Sequence, residues 1–185
     1  LLPIYYSFWA FVNFLCNEIF ISKTSNTLEM FAGSGIIGFI LKKNKKTENI
    51  SYADINFWAI KSIRETISKH PELNGNTWVS ECFGGIPLTE KYDVIIGNPP
   101  HVDKPLEIPD FLPGFDPDWE AHRLFFDQAA DYLNPNGKII LIENKYSSVY
   151  EKIYENIEKT YKHFRIKRKV DLDNHLCYII EIEKV

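Results

Sequence analysis

The chain has 185 residues, of which 45% are hydrophobic and 25% are charged, so it can bury a sizeable core and is typical of one globular domain. This composition is that of a globular protein rather than a disordered one. The formal net charge of −4 disfavours a nucleic-acid partner, which usually requires a basic surface. The three cysteines are far apart in the sequence, so neither a disulfide framework nor a zinc site is predicted, and a reduced, cytoplasmic location is expected.

The first twenty residues are rich in aromatic side chains. Polar residues interrupt the apolar run and no basic segment precedes it, so neither a membrane span nor a signal peptide is predicted. A helix over 8–20 that packs on the sheet is expected instead, with Tyr5 and Tyr6 as candidate substrate contacts over the cleft. Pure core packing is the alternative for this segment. We therefore divide the chain into an N-terminal helical segment, 1–25, and a main domain, 26–185.

A strand, a glycine turn and a helix are predicted next. The strand covers 26–31, Gly33 and Gly35 permit positive φ and close approach of a ligand, and Gly38 lets the following helix pack tightly. Asp54 ends a second predicted strand over 49–54, where its carboxylate can accept hydrogen bonds from both hydroxyls of a ribose. The pattern is typical of a nucleotide-cofactor site, and it is shared with dinucleotide oxidoreductases.

A second motif, Asn98-Pro99-Pro100-His101, directly follows a predicted strand over 92–97. Each proline fixes φ at about −65° and removes an N–H donor, so the Asn98 side chain is held outward from the strand end. The Asn98 oxygen and the Pro99 carbonyl can both accept hydrogen bonds from one substrate NH₂ group. The motif favours methylation of a planar nitrogen, and a turn that merely ends the strand is the alternative.

The loop from Val102 to Trp119 is long for a compact domain and is where specificity is expected. An acidic loop repels phosphates and suits a cationic, amino or peptide substrate, although a solvated loop without a role is the alternative. Asp118 is a candidate N-cap for the next helix. Trp119 and His122 share one face of that helix and are candidate substrate contacts. The acidic residues of the loop are Asp103, Glu107, Asp110, Asp116 and Asp118.

The remaining elements alternate between helices and strands. This alternation predicts an α/β fold with a Rossmann-like, mostly parallel sheet and helices on both faces. The last two strands have no helix between them, which predicts a C-terminal hairpin with one antiparallel strand. The basic run between Lys159 and Lys169 is interpreted as a solvated edge strand, with an RNA-contacting edge as the alternative. The other predicted helices are 35–45, 56–69, 119–133 and 147–160, and the other predicted strands are 77–81, 137–143, 163–170 and 175–183.

These motifs, in this order and spacing, resemble the class I S-adenosylmethionine-dependent methyltransferases, in the branch with an Asn/Asp-Pro-Pro-Tyr/Phe motif. That branch includes release-factor glutamine, ribosomal RNA guanine and DNA adenine N-methyltransferases. The resemblance implies a seven-stranded sheet, S-adenosylmethionine as cofactor, and Asn98, Pro99, Pro100 and His101 as the catalytic motif. The cofactor-binding residues it implies are Glu29, Phe31, Ala32, Gly33, Gly35, Asp54, Ile55, Glu81, Cys82, Phe83 and Asn98.

His101 departs from this family, which has Tyr or Phe at the corresponding position. Three roles are open: stacking on a planar substrate, accepting a proton as a general base, and an incidental place in the turn. A metal site made by His101, Asp103 and His122 is disfavoured, and no metal is predicted.

Direct in-line methyl transfer is the expected reaction, because the sulfonium cofactor is already electrophilic and needs only a positioned acceptor. The favoured acceptor is a protein side chain or a small molecule with an amide or amino nitrogen. A base of RNA or DNA is the first alternative, and a non-catalytic cofactor-binding scaffold is the second. No membrane partner is expected.

Overall fold

The computed structural model describes residues 3–19, 21–101, 114–145, 151–172 and 177–185, without the side chains of residues 3–7, 151–153 and 155–156. The side chains of the candidate substrate contacts Tyr5 and Tyr6 lie outside the described part of the chain. So do the loop residues from Val102 to Pro113, which include three of the acidic residues assigned to a specificity loop, Asp103, Glu107 and Asp110.

Five α-helices and seven strands occur in the described parts of the chain. The helices are α1 (Pro3–Asn17), α2 (Ile36–Lys43), α3 (Phe57–Lys69), α4 (Glu120–Tyr132) and α5 (Glu151–Thr160). The strands are β1 (Asn26–Met30), β2 (Asn49–Asp54), β3 (Asn76–Val79), β4 (Tyr92–Gly97), β5 (Leu133–Asn144), β6 (Phe164–Asp171) and β7 (Cys177–Lys184).

All seven strands form one sheet in the order β3-β2-β1-β4-β5-β7-β6. The first five strands are parallel, whereas β7 runs antiparallel to both β5 and β6. The predicted Rossmann-like fold with an antiparallel C-terminal pair is therefore confirmed. The chain reverses its direction of winding between β1 and β4, and such a switch point opens a crevice at the carboxyl ends of the strands. Met30 and Gly97 pair there, so the segments that follow them begin side by side.

The two faces of the sheet bury separate apolar clusters. Alternate residues of β4 point to opposite sides: Val94 and Ile96 pack with helix α1 and helix α2, and Ile95 packs with helix α4. The first helix begins at Pro3 rather than near residue 8 and ends at Asn17, so its predicted range was wrong. Proline is compatible with the first turn of a helix because the N–H it lacks would have no partner there. The division of the chain at residue 25 stays a prediction.

No helix in the described ranges is long and apolar enough to cross a membrane.

Strand β6 lies at the edge of the sheet and carries most of the C-terminal basic run. Its cations are paired with acidic side chains: Arg165 lies 3.1 Å from Glu183, and Arg168 lies 2.7 Å from Glu181. Lys167 lies 2.8 Å from the Glu183 carboxylate. The positive charge of this edge is therefore largely balanced by the neighbouring strand β7.

Candidate active site

The loop after β1 is held in a left-handed conformation at three positions. The φ angles are 56° at Phe31, 51° at Gly33 and 72° at Gly35. The Ala32 N–H donates to the Ala53 carbonyl at 3.0 Å, and the Gly35 N–H donates to the Ala32 carbonyl at 2.7 Å. No atom lies within 4 Å of the position that a Cβ on Gly33 would take, so the loop faces open space there.

Asp54 fixes this loop from the end of β2. Its carboxylate accepts hydrogen bonds from the Gly33 N–H at 2.7 Å and from the Asn56 N–H at 2.8 Å. Ile55, the next residue, is 66% exposed. A carboxylate and an exposed apolar side chain thus lie together beside the glycine loop, and this is a set of groups that fits a ribose and a planar base.

Glu29 is buried and faces the start of α2. Its Oε2 accepts a hydrogen bond from the Gly38 N–H at 2.8 Å, which ties β1 to the first turn of that helix. Burial raises the pKa of Glu29 to about 8, although hydrogen bonds from Gly38 and Ile37 oppose this effect. The glycine at position 38 is needed for this contact, because a Cβ there would lie 2.7 Å from Oε2 of Glu29.

The segment after β3 contributes one exposed candidate and two buried ones. Glu81 is exposed, whereas the Cys82 thiol lies 3.4 Å from the Ala121 carbonyl oxygen. Phe83 stacks on Tyr132 with ring centroids 4.6 Å apart. Burial, followed by the charges of Glu81 and Asp116, raises the pKa of Cys82 to about 12. Cys82 and Phe83 therefore lie in the core beneath the loop, and Glu81 is the one of the three that can reach a ligand from the surface.

The Asn98-Pro99-Pro100-His101 motif leaves β4 at the switch point. Asn98 is exposed, Pro99 is buried and Pro100 is half-buried. Nε2 of His101 lies 2.9 Å from Oδ1 of Asn98, and the His101 N–H donates to the Gly114 carbonyl at 3.0 Å. The imidazole is thus held against the Asn98 amide at the mouth of the crevice.

A buried cluster of charged side chains lies behind His101. Oε2 of Glu143, at the end of β5, is 3.4 Å from Nδ1 of His101. Oε1 of Glu143 is 3.6 Å from Nε2 of His122 and accepts a hydrogen bond from the Tyr154 hydroxyl at 2.5 Å. Nδ1 of His122 lies 2.5 Å from Oδ2 of Asp116. These contacts join α4, β5, α5 and the motif turn through one network of polar groups.

Two members of this network, Glu143 and His122, have shifted pKa values. Burial raises the pKa of Glu143, but His101 and His122 outweigh this effect and lower it to about 2. Burial lowers the pKa of His122, but Asp116 and Glu143 outweigh it, so that pKa is raised overall. At neutral pH the Glu143 carboxylate is therefore ionised inside the core, with imidazole groups on two sides.

The roles predicted for Asp116 and Asp118 were wrong. Asp118 was expected to cap α4, but Asp116 does so: its carboxylate accepts hydrogen bonds from the Ala121 N–H at 2.8 Å and the His122 N–H at 3.3 Å. Asp116 is buried, so it does not contribute to an acidic surface either. The backbone explains the error, because Asp118 and Trp119 both adopt positive φ and shift the capping position back along the chain.

Trp119 lies just before α4 in a left-handed conformation, and His122 lies in the first turn of the helix, so the two residues were wrongly placed on one helical face; both side chains are buried. Their rings pack edge to face with centroids 5.8 Å apart, and His122 also stacks on Phe31 at 6.5 Å. This burial favours an indirect role over direct contact with a substrate. His122 connects the loop after β1, through Phe31, to the cluster behind His101.

Glu143 and Tyr154 were missed by the sequence analysis. One signal for Glu143 was present, since it ends an apolar strand in the same way as Asp54, and the ends of neighbouring parallel strands share one edge. Tyr154 gave no such signal, because only the packing of α5 brings it to β5. Among the described residues, no three His, Cys, Asp or Glu side chains are arranged so that they could hold a metal ion.

The fold and this site define a methyltransferase domain. The chain belongs to the family described as Methyltransferase small domain, whose model matches residues 11–170. S-adenosylmethionine is its cofactor, and the loop after β1, Asp54 and the open space over Gly33 suit it.

Two curated relatives are informative. Ribosomal RNA small subunit methyltransferase C of Haemophilus influenzae is 30% identical over 134 residues, which are 70% of this chain and 37% of the relative. The release factor glutamine methyltransferase of Streptococcus pneumoniae is 33% identical over 127 residues, which are 63% of this chain and 44% of the relative. The chain thus spans less than half the length of these relatives.

Solved structures share the fold at low identity. A SAM dependent methyltransferase from Aquifex aeolicus has a TM-score of 0.69 and 16% identity, with 94% of this chain and 89% of that chain covered. A 16S rRNA N2 G1207 methyltransferase from Thermus thermophilus, solved with AdoMet and guanosine, has a TM-score of 0.63 and 15% identity, with 88% and 38% covered.

Proposed function

We propose that this domain transfers a methyl group from S-adenosylmethionine to a planar amide or amino nitrogen of a protein side chain or a small molecule. One observation carries the proposal: the Asn98 side chain is exposed at the end of β4, directly beside the loop that follows β1. An acceptor bound to Asn98 is therefore next to the glycine loop that would hold the methyl donor.

The cofactor would be held by residues from three strands. Asp54 would accept hydrogen bonds from the ribose, Ile55 and Glu81 would contact the adenine, and the loop at Gly33 and Gly35 would lie against the methionine part. The bound cofactor supplies an electrophilic methyl group. The residues of this chain then need only to hold the acceptor in line and exclude water.

Asn98 and the Pro99 carbonyl would orient the acceptor nitrogen. Both present oxygen atoms, which accept hydrogen bonds from N–H groups, so the nitrogen lone pair is directed away from them. Positive charge that develops on the nitrogen strengthens the N–H hydrogen bonds, so the same two oxygens bind the transition state more tightly than the ground state.

Charge favours an acceptor other than nucleic acid. The formal net charge is −4, and the cations of β6 are paired with Glu181 and Glu183 rather than free to bind phosphates. Affinity for RNA or DNA depends chiefly on unpaired Lys and Arg side chains.

A ribosomal RNA base is the second candidate acceptor. The similarity to the Haemophilus influenzae relative, which covers 70% of this chain, favours it. The exocyclic amino group of a guanine is also a planar nitrogen that can donate to Asn98 and Pro99. The paired charges of β6 weigh against this acceptor.

Methyl transfer to separated acceptor classes tests the proposal. The wild-type chain and Asn98→Ala are incubated with S-adenosylmethionine carrying a tritiated methyl group and with three fractions of a cell extract: RNA-free protein, small molecules, and ribosomal subunits. We expect label in the protein or small-molecule fraction, and a rate about 10² to 10³ lower for Asn98→Ala, since one preorganised hydrogen-bond acceptor is lost.

Cofactor affinity should be the same in both proteins, because Asn98 would act on the acceptor. Label confined to ribosomal RNA would make the second candidate correct. An Asn98→Ala protein with undiminished activity would show that the motif is only a turn that ends β4.

A further inference from the structure

The proposed function depends on Asn98, whose side chain is exposed at the end of β4. An exposed asparagine side chain samples several rotamers, and either end of its amide can face a substrate. A substrate N–H group binds only to the oxygen end, so an amide that turns freely is oriented correctly for part of the time. Methyl transfer at this position therefore gains from a second group that holds the amide in place.

The imidazole of His101 lies where it can hold this amide. Its Nε2 is 2.9 Å from Oδ1 of Asn98, which is hydrogen-bond distance. Because an amide oxygen only accepts hydrogen bonds, the hydrogen of this bond is on Nε2 of the ring. The ring is itself well held, since its side chain is only 20% exposed and the His101 backbone N–H donates to the Gly114 carbonyl at 3.0 Å.

We propose that His101 is a positioning residue, whose Nε2–H bond to Oδ1 fixes the orientation of the Asn98 amide for the acceptor nitrogen. This inference rests on the function proposed above. A carbonyl oxygen has two lone pairs, so Oδ1 binds the His101 N–H with one and an acceptor N–H with the other. The bond also restricts the rotamers of Asn98 in advance, so less conformational entropy is lost when the acceptor binds.

The carboxylate of Glu143 is compatible with this bond. Its Oε2 lies 3.4 Å from Nδ1 of His101, but within the described ranges neither atom has a hydrogen-bond partner. In the neutral ring, the bond to Asn98 keeps the single hydrogen on Nε2. A protonated ring has hydrogens on both nitrogens and then presents Nδ1–H to the carboxylate, so the bond to Asn98 is present in that state as well.

This role gives a reason for a histidine at the last position of the motif. Stacking on a planar acceptor, the role expected of Tyr or Phe, uses only the face of the ring. It does not account for a ring nitrogen that faces Oδ1 of Asn98. A phenylalanine side chain would keep the aromatic face but has no N–H group to donate.

The position of the ring hydrogen is measured first, because this measurement needs no methyl acceptor. The full chain, labelled with ¹⁵N-histidine, is titrated with and without S-adenosylhomocysteine, and two-bond ¹⁵N–¹H correlation spectra distinguish the two neutral tautomers. His101→Phe identifies the His101 signals by their absence. We expect a hydrogen on Nε2 in the neutral ring as well as in the protonated one. A neutral ring with its hydrogen on Nδ1 would overturn the proposal, because Nε2 would have nothing to donate.

Three substitutions separate the hydrogen bond from the aromatic face. His101→Phe keeps the face and removes the donor, His101→Gln has an N–H group near the position of Nε2, and His101→Asn has one near the position of Nδ1 instead. With the acceptor found above, turnover should fall about tenfold in His101→Phe and His101→Asn, since one neutral hydrogen bond is lost, and His101→Gln should recover most of this loss. Undiminished turnover in His101→Phe would assign the ring to stacking and contradict the proposal.

A double-mutant cycle with Asn98→Ala shows whether His101 acts through Asn98. In the Asn98→Ala chain, the added His101→Phe should change turnover by less than about twofold, because the partner of the hydrogen bond is already missing. An equal loss in both backgrounds would show that His101 acts independently of Asn98, as a residue that only maintains the turn would do. Affinity for S-adenosylhomocysteine, measured by calorimetry, should be the same in all these variants as in the wild type.

These outcomes are distinct from a failure of the proposed function. A wild-type chain that transfers no methyl group to any of the three fractions contradicts the proposed function, whereas the position of the His101 hydrogen is still measured in the free protein. If the substituted chains do not fold, the wild-type tautomer decides by itself.

Discussion

Asp54 fixes the glycine loop and is also the residue proposed to bind the cofactor ribose, so it is the sharpest test of the proposed cofactor site. Its carboxylate holds the Gly33 and Asn56 amides, and the same oxygens have lone pairs left for the two ribose hydroxyls. We expect wild-type affinity for S-adenosylmethionine in the micromolar range, about −8 kcal/mol. Asp54→Ala should weaken binding by about 1 to 3 kcal/mol, measured by isothermal titration calorimetry.

Asp54→Asn is the matched control, because it keeps one oxygen acceptor and the size of the side chain. Its affinity should fall between those of wild type and Asp54→Ala. Binding that is undiminished in Asp54→Ala, or tighter binding of a nicotinamide dinucleotide by the wild type, would contradict the assignment.

Glu29 should make stability depend on pH. Its pKa in the folded chain is about 8 against an ordinary value of 4.5, so between these two values the folded chain binds a proton that the unfolded chain has lost. Stability without cofactor should therefore fall as the pH rises from 4.5 to 8, with an upper limit of about 5 kcal/mol from this group. Glu29→Gln keeps the shape and removes the titration.

The measured quantity is the free energy of unfolding in urea at several pH values, taken as the difference between wild type and Glu29→Gln. Taking this difference separates the effect of Glu29 from that of His122. The raised pKa of His122 also makes stability fall as the pH rises above 6.5, but it does so in both proteins. A difference that is constant from pH 4.5 to 8 would show that Glu29 is ionised throughout.

At the level of helices and strands, the sequence predicted those parts that depend on local pattern. The glycine turn and the acid that follows β2 were placed correctly, because turn chemistry and hydrophobic runs act over a few residues. The predicted start of α1 and the predicted cap of α4 were wrong. In both cases the cause was the local backbone: Pro3 is accommodated in a first turn, and positive φ at Asp118 and Trp119 moves the cap to Asp116.

Helix α2 shows how closely one element can depend on a single glycine. A Cβ on Gly38 would lie 2.5 Å from Cδ1 of Ile50 and 2.6 Å from Cε1 of Tyr52. Helix propensity alone would make Gly38→Ala stabilising by about 1 kcal/mol. Overpacking acts against this gain, and we expect the free energy of unfolding, measured by urea denaturation, to fall by about 1 to 3 kcal/mol. Cofactor affinity should also be reduced, because the loop before α2 shifts.

Gly84→Ala is the control for this substitution. The nearest atom to its added Cβ is the Glu81 carbonyl oxygen, at the ordinary contact distance of 3.4 Å. Gly84→Ala should change the free energy of unfolding by no more than about 0.5 kcal/mol. Stabilisation by Gly38→Ala would mean that α2 can move away from the sheet at little cost.

Over the whole molecule, strand and helix alternation was enough to predict the sheet, and the local motifs were enough to place Asp54 and Asn98 at the carboxyl ends of their strands. The buried cluster was beyond the same reasoning. Glu143, His122 and Tyr154 come from three elements, and only the packing of α4 and α5 on the sheet brings their side chains together. The basic run at the C-terminus was placed on an edge strand from the sequence, but its pairing with acidic side chains of β7 was not predicted, because it depends on the register of the two strands.

That pairing leads to a prediction about the charge of the whole surface. With a net charge of −4 and the cations of β6 engaged by Glu181 and Glu183, wild-type affinity for single-stranded RNA at physiological salt should be weaker than about 10⁻⁴ M. Replacing both acids by glutamine removes two negative charges and frees Arg165, Lys167 and Arg168, so this variant should bind RNA more tightly and with a steeper salt dependence. Fluorescence anisotropy of a labelled RNA at several salt concentrations measures both the affinity and its salt dependence.

Lys61→Gln with Lys69→Gln on α3 is the opposite control, because it removes two positive charges, and it should not raise affinity for RNA. Sub-micromolar binding by the wild type would show that a surface other than β6 recognises RNA, and it would place a ribosomal RNA acceptor ahead of a protein or small-molecule one.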